Sequence, residues 1–139
     1  MIRIKFEEGQ GLGNQLWLFS AAKSISEKLD YKLEIENFDK FKGLDFLDLE
    51  NFNYVNSEEK LDFSEYNERL FYDSDLKYVA SGFDENVLNI KENTILKGLF
   101  QSEKYFFGDI KKINRYIRFK KNKQTSIVRE DTCILNIRG

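Results

Sequence analysis

The chain has 139 residues, of which 41% are hydrophobic and 15% aromatic; this excludes a disordered chain and predicts one domain, or one domain and the start of another. Its formal net charge of -2 excludes the overall basic field that non-specific nucleic-acid binding needs. Histidine is absent, so Ser-His-Asp, Cys-His and histidine-based metal sites are excluded within this chain. The single cysteine, Cys133, cannot form an internal disulfide, and we expect it to pack in the core.

The N-terminal residues 1–36 predict a βαβ unit. Apolar and basic residues alternate over 2–6, which predicts a buried strand. A glycine-rich stretch (GQGLGNQLW, 9–17) follows, and apolar residues then recur at three- and four-residue steps as far as Leu29, which predicts a helix. Residues 31–36 (YKLEIE) alternate again and predict a second strand, which a helical crossover makes parallel to the first.

The glycine-rich stretch is the most informative part of this unit. A strand, a glycine-rich turn and a helix in that order place free backbone N–H groups and the positive end of the helix beside a strand tip. That arrangement suits a phosphate or a sugar diphosphate. The alternative is that the glycines only allow a tight turn from strand to helix, and the glycines alone do not decide between the two.

The middle of the chain carries weaker patterns. Over residues 37–72, short aromatic-bearing pieces lie among acidic, lysine and asparagine residues, and we expect surface loops with short helical or extended pieces there. Residues 94–100 (TILKGLF) then predict another buried strand.

The C-terminal part predicts one more helix and one more strand. Ser102 is expected to cap this helix, because an apolar stripe at helical spacing follows it and ends near Phe119. We expect the basic residues of 111–123 on the solvated face of that helix, and a polar linker after it. Residues 132–137 (TCILNI) predict a final strand, and a chain that stops directly after such a strand is typical of a truncated sequence.

Three separated motifs together resemble the α-1,2-fucosyltransferase family, which is glycosyltransferase family eleven. They are residues 11–16 (GLGNQL), residues 99–106 (LFQSEKYF) and residues 135–139 (LNIRG). The family's corresponding motifs look like G-G-L-G-N-Q-L-F, G-Y-W/F-Q-S-E-K-Y-F and H-x-R-R-G-D. The motifs occur in the family's order, and the chain spans about the first half of a family member.

The resemblance implies an α/β fold of the GT-B type, with two facing Rossmann-like halves. Residues 1–124 would be the acceptor-side domain, with 37–72 on its acceptor-facing surface, and residues 125–139 the linker and first strand of a truncated donor-binding domain. The reaction implied is inverting transfer of fucose from GDP-fucose to a galactoside hydroxyl, without a cofactor or a required metal. The implied partners are the nucleotide sugar and a glycan acceptor, with peripheral association with membrane-linked glycan precursors left open. The sequence itself opens with a strand pattern and has no continuous apolar segment long enough to cross a bilayer, from which we expect a cytoplasmic protein.

The same resemblance gives the candidate site residues. Arg138 matches the first arginine of the third motif, where a guanidinium can pair with the departing diphosphate. The expected contacts to the donor or substrate are Gly11, Leu12, Gly13, Asn14 and Gln15.

Each of these assignments has an alternative. Asn14 could instead cap the helix, and Arg138 could be a surface residue beyond a strand. Gln101 and Ser102 are further site candidates, for which capping and packing of the following helix is the favoured alternative. Asn136, also a site candidate, stands where the family commonly has histidine, and Gly139 stands where it has a second arginine.

Two other functions compete with fucose transfer. A dinucleotide site fits the glycines and a downstream Glu34 or Glu36, but Asn14 stands where that fingerprint needs its last glycine. The other is an inactive truncated fragment or binding module, and by itself this chain is expected to have negligible transferase activity. The sequence does not identify the catalytic base, because acids such as Asp39 and Asp73 are too numerous to choose among.

Overall fold

The structure, a computed structural model, describes residues 1–55, 62–75 and 77–120, with residues 78–81 described by their backbone alone. The chain is an α/β protein built around a five-stranded parallel sheet. The strands are β1 (Ile2–Lys5), β2 (Leu33–Glu36), β3 (Leu47–Leu49), β4 (Asn53–Val55), β5 (Ser64–Asn67), β6 (Leu70–Asp73), β7 (Tyr78–Ser81), β8 (Thr94–Lys97) and β9 (Ile117–Phe119). The helices are α1 (Leu12–Leu29) and α2 (Ile113–Tyr116), with short 3₁₀ turns at Phe38–Lys40, Glu85–Asn89, Glu103–Phe106 and Ile110–Lys112.

The predicted βαβ unit is confirmed. The order of strands in the sheet is β4-β2-β1-β8-β5, and β1 runs parallel to β2 with Ile2 opposite Leu33. The strand predicted over 94–100 is present as β8, which ends earlier, at Lys97, and pairs with the other side of β1. The coarse fold expected from the sequence, a Rossmann-like α/β domain with a parallel sheet, is therefore present.

One face of the sheet packs on α1 and forms the core. Alternate residues of the strands point to this face, and the apolar stripe of α1 covers them. The buried residues shared between the two layers are Ile2, Ile4, Leu18, Ala21, Ala22, Ile25, Leu33, Ile35 and Leu96. The helix ends at Asp30, whose backbone is left-handed (φ 57°) and whose N–H turns back to the carbonyls of Ser26 and Glu27.

The opposite face of the sheet carries charged side chains, which is unusual for parallel strands. Arg3 and Glu34 are register partners on this face, and both are buried. The Arg3 Nη2 atom lies 2.9 Å from Glu34 Oε2, and the Arg3 guanidinium lies 4.0 Å from the centre of the Phe63 ring. The buried charge is therefore paired and covered by an aromatic ring.

The short helical and extended pieces expected among the surface loops of residues 37–72 are present, and two of them, β4 and β5, form the edge strands of the main sheet. The prediction for the C-terminal helix is wrong in part. The helix expected to end near Phe119 is broken, because Phe107 (φ 50°) and Gly108 (φ 82°) turn the chain out of helical geometry. In the described residues a 3₁₀ turn and the four-residue α2 follow them, and β9 pairs with β3 in an antiparallel ribbon.

Candidate functional site

A crevice lies at the carboxyl ends of the parallel strands. In the sheet, β2 and β4 lie on one side of β1, and β8 and β5 lie on its other side. The direction in which the strands are added therefore reverses between β1 and β8. Ligands of open α/β sheets bind at this switch point. A cavity of about 510 Å³ is present there, a size that suits a small-molecule ligand. The polar side chains that line it are Lys5, Glu7, Gln10, Glu36, Glu65 and Lys97.

The charges in the crevice are mostly paired across neighbouring strands. Lys5 Nζ lies 3.2 Å from Glu36 Oε1, and Lys97 Nζ lies 2.6 Å from Glu65 Oε1. The third carboxylate, that of Glu7, is exposed and has no ion pair among the described residues. Two lysines and three glutamates leave the lining with one net negative charge.

The glycine-rich stretch reaches this crevice at its start, through Gln10. Glu7 to Gln10 is a tight turn, in which the Gln10 N–H donates to the Glu7 carbonyl (3.2 Å) and Gly9 has a φ of 81°. A positive φ at the third position is what a type II turn requires, so the tight-turn explanation accounts for Gly9. It does not account for Gly11 or Gly13, because neither has a positive φ and an added Cβ at either would meet nothing within 4 Å.

The first two sequence motifs meet in space. The side-chain amide of Gln101 donates to Asn14 Oδ1 at 2.9 Å, across 87 residues of sequence. The helix begins at Leu12 with Gly11 as its cap, so the alternative in which Asn14 caps α1 is wrong. Asn14 instead lies in the first turn of the helix, half-exposed, and joins the glycine loop to the segment that follows β8.

Gln15 and Leu12, both expected at the site, pack inward. Gln15 is fully buried; its Nε2 donates to the Lys40 carbonyl at 2.9 Å and its Oε1 accepts from the Lys42 N–H at 2.9 Å. The Leu12 side chain is half-buried against the core. Of the five expected donor or substrate contacts, Gly11, Gly13 and Asn14 are therefore the ones at the open surface.

A buried carboxylate that the sequence analysis missed holds the segment after β8. Glu68 Oε2 accepts from the backbone N–H groups of Leu99 (2.8 Å) and Phe100 (2.7 Å), and Glu68 Oε1 accepts from the Tyr105 hydroxyl (3.1 Å). At Gly98, an added Cβ would lie 2.4 Å from the Cβ of Glu68. This network fixes residues 98–101 and so positions Gln101; the loop residues around Glu68 carry no pattern that predicts it.

The hydroxyl groups around this carboxylate are strongly perturbed. Burial, reinforced by the negative charge of Glu68, raises the pKa of Tyr105 above its usual value. Burial and the hydrogen bond to Asp84 (2.8 Å) raise the pKa of Tyr66 as well, and the same hydrogen bond lowers the pKa of Asp84. The hydroxyl groups of Tyr66 and Tyr105 therefore stay protonated and act as hydrogen-bond donors, which suits a structural role.

Ser102, the other candidate of the second motif, is confirmed as a cap. Its Oγ accepts from the Lys104 N–H at 3.4 Å at the start of the Glu103–Phe106 turn, which replaces the longer helix that was expected. Arg138, Asn136 and Gly139 lie outside the described residues, as do Cys133 and the strand expected over 132–137. Their assignments stay predictions.

Both acids of the competing dinucleotide fingerprint are ion-paired, and of the two only Glu36 lines the crevice. The Glu34 carboxylate is buried against Arg3, and the Glu36 carboxylate pairs with Lys5. Within the described ranges, no group of three or more acidic or cysteine side chains is arranged to hold a metal ion. In the same residues, neither helix is both long enough and apolar enough to cross a bilayer.

Fold and site together define a Rossmann-like α/β domain with a polar crevice at its topological switch point. Comparison of the chain with models of protein families, with curated proteins and with solved structures finds no match.

Proposed function

We propose that the protein is a glycosyltransferase that moves fucose from GDP-fucose to a galactoside hydroxyl with inversion, forming an α-1,2 linkage. The described α/β domain would be the acceptor-side half of a GT-B fold. The observation that carries this proposal is the hydrogen bond between Asn14 and Gln101, because it joins the first two motifs of the resemblance across 87 residues of sequence. Two motifs far apart in sequence whose polar side chains meet in the folded chain favour a shared function over separate structural roles.

The charges of the crevice favour the sugar acceptor over the nucleotide diphosphate as its occupant. Both lysines are neutralised by neighbouring glutamates, and the remaining carboxylate of Glu7 would repel a diphosphate. The hydroxyl groups of a neutral saccharide, by contrast, donate hydrogen bonds to carboxylates.

The donor has a different place of approach. A Cβ added at Gly11 or Gly13 would meet no atom within 4 Å, so a ligand can approach the backbone there. Both glycines lie at the start of the 18-residue helix α1, where free backbone N–H groups favour a phosphate. The resemblance adds Arg138 as the cation for the departing diphosphate. In this proposal Asn14 contacts the donor, and Gln15 holds the loop of residues 40–42 in place.

Fucose transfer is tested by incubating the natural gene product that carries this sequence with GDP-fucose and a panel of β-galactosides. We expect a product whose mass increases by one deoxyhexose and whose NMR spectrum shows substitution at the galactose 2-hydroxyl. GDP-mannose serves as the donor control and should give no product. A folded protein that transfers fucose to no galactoside, but whose Trp17 fluorescence titrates with NAD and not with GDP, would support the dinucleotide alternative instead.

Replacement of Gly13 by alanine is predicted to separate stability from activity. Alanine is the better helix former and its Cβ meets no atom of the described chain, so the free energy of unfolding should rise by up to about 1 kcal/mol. The same methyl group would occupy the space through which the donor approaches, and fucose transfer should fall by at least about tenfold, as expected for one lost close contact worth about 1.4 kcal/mol. Urea unfolding followed by circular dichroism, together with the transfer assay, measures both.

Gly108→Ala is the matched control for this variant. Its added Cβ also meets nothing within 4 Å, but its φ of 82° strains an alanine, so Gly108→Ala should lose stability and keep its activity per folded molecule. Full transfer activity in Gly13→Ala would contradict the proposed approach of the donor to this backbone.

A further inference from the structure

We propose that Glu7 is the base that takes the proton from the acceptor hydroxyl; this inference rests on the proposed function. Inverting transfer needs a group beside the acceptor that removes the hydroxyl proton as the new bond forms. The sequence offers many acids and does not choose among them. Among the described residues, the crevice proposed for the acceptor is lined by three carboxylates, Glu7, Glu36 and Glu65.

The position of Glu7 is fixed by the backbone on both sides. The preceding residue, Phe6, still belongs to the sheet, because its N–H donates to the Glu36 carbonyl at 3.1 Å. The Glu7 N–H donates to the side chain of Gln10 at 3.4 Å, and the Gln10 N–H returns to the Glu7 carbonyl at 3.2 Å. Glu7 is therefore the second residue beyond β1, held by a closed turn at the edge of the cavity.

The other two crevice carboxylates are already occupied. Glu36 and Glu65 each form an ion pair with a lysine on the adjacent strand, and protonating either carboxylate would break that ion pair. Glu7 has no such partner among the described residues, so its carboxylate can accept a proton without breaking an ion pair. It is the crevice carboxylate best suited to act as a base.

The proposed step balances as follows. The acceptor hydroxyl oxygen attacks C1 of fucose from the side opposite the diphosphate, and the bond between C1 and the phosphate oxygen breaks. The electron pair of that bond leaves with GDP, while the hydroxyl proton moves to a carboxylate oxygen of Glu7. The neutral carboxylic acid then loses its proton to water, and no oxidant, reductant or further reactant takes part.

The test compares Glu7→Gln with Glu8→Gln in the natural gene product. Glutamine keeps the shape of glutamate but cannot accept the proton, so kcat for fucose transfer should fall by about 10²- to 10⁴-fold in Glu7→Gln. The KM for the galactoside should change only a few-fold, and the acid limb of the pH profile of kcat should disappear. Glu8 is the adjacent glutamate, exposed and outside the cavity lining, and Glu8→Gln should match the wild type.

The outcomes separate this inference from the proposed function. If the wild type transfers fucose and Glu7→Gln keeps its kcat, the role of Glu7 is overturned and the transferase function stands. If the wild type transfers no fucose, both are overturned. If circular dichroism shows that Glu7→Gln is unfolded, Glu7→Asp takes its place in the test. It keeps a carboxylate at the same position and should retain part of the wild-type kcat. A folded Glu7→Asp that is inactive and has a raised KM would count against a role of Glu7 in proton transfer.

Discussion

Replacing Glu68 by alanine is expected to lower the free energy of unfolding by about 3–5 kcal/mol. The two backbone N–H groups of Leu99 and Phe100 would lose a charged acceptor, and a hydrogen bond to a charged group is worth about 1.5–3 kcal/mol. The Tyr105 hydroxyl would lose the same partner in a fully buried place. Urea unfolding followed by circular dichroism measures the loss.

Glu68→Gln is the control that keeps the shape and one acceptor oxygen. That oxygen can still accept the hydrogen bonds from the two backbone N–H groups, and the amide can donate to the Tyr105 hydroxyl. We therefore expect the free energy of unfolding to fall by only about 1–2 kcal/mol, mainly because the charge is missing. Equal stability of the alanine and glutamine variants would show that the carboxylate does not hold this segment. Because Gln101 follows Phe100 directly, the alanine variant should also shift the side-chain amide resonances of Gln101 and Asn14.

The parts of the fold that the sequence predicts are those with strong apolar periodicity. Residues 2–6 and 94–100 become the central strands β1 and β8, and the stripe before Leu29 becomes α1, because these elements bury one face in the core. The edge strand β5, with the sequence SEYN, is largely exposed and has no apolar alternation to reveal it. An edge strand is specified by the neighbour with which it pairs, and that information is not local.

The helix expected to end near Phe119 shows a second limit. Only the start of its apolar stripe returns fully to the core: Tyr105 and Phe106 are buried, whereas Ile110 is 55% exposed. Short turns separated by a chain reversal can give the same spacing as a continuous helix. The reversal depends on a left-handed backbone at Phe107, a residue type that gives no warning of it.

The sequence likewise predicts some parts of the candidate site and not others. The glycine-rich loop lies where the order of strand, turn and helix predicts it, and Asn14 and Gln101 both belong to motifs that the sequence singles out. Their contact, across 87 residues of sequence, depends on the placement of β8 beside β1. No local sequence pattern predicts that placement. The crevice likewise depends on the strand order, and the role of Glu68 depends on a buried contact between two loops.

Replacing Arg3 by leucine is predicted to lower the free energy of unfolding by about 3–5 kcal/mol. The Arg3 and Glu34 side chains are only 5% and 10% exposed, so the single change leaves the Glu34 carboxylate buried without its partner. The contact between the guanidinium and the Phe63 ring is lost at the same time. Chemical denaturation of the variant measures the loss.

The double variant Arg3→Leu/Glu34→Leu separates the cost of an unpaired charge from the value of the pair. Two leucines on adjacent strands can pack against Phe63, and the double variant should recover to within about 1 kcal/mol of the wild type or exceed it. A double variant as unstable as the single one would mean that the ion pair itself stabilises the domain. Recovery would mean that the Arg3–Glu34 ion pair does not stabilise the fold and has another role. Lys5 and Glu36, the next charged pair along the same two strands, line the crevice and so connect this charged face to it.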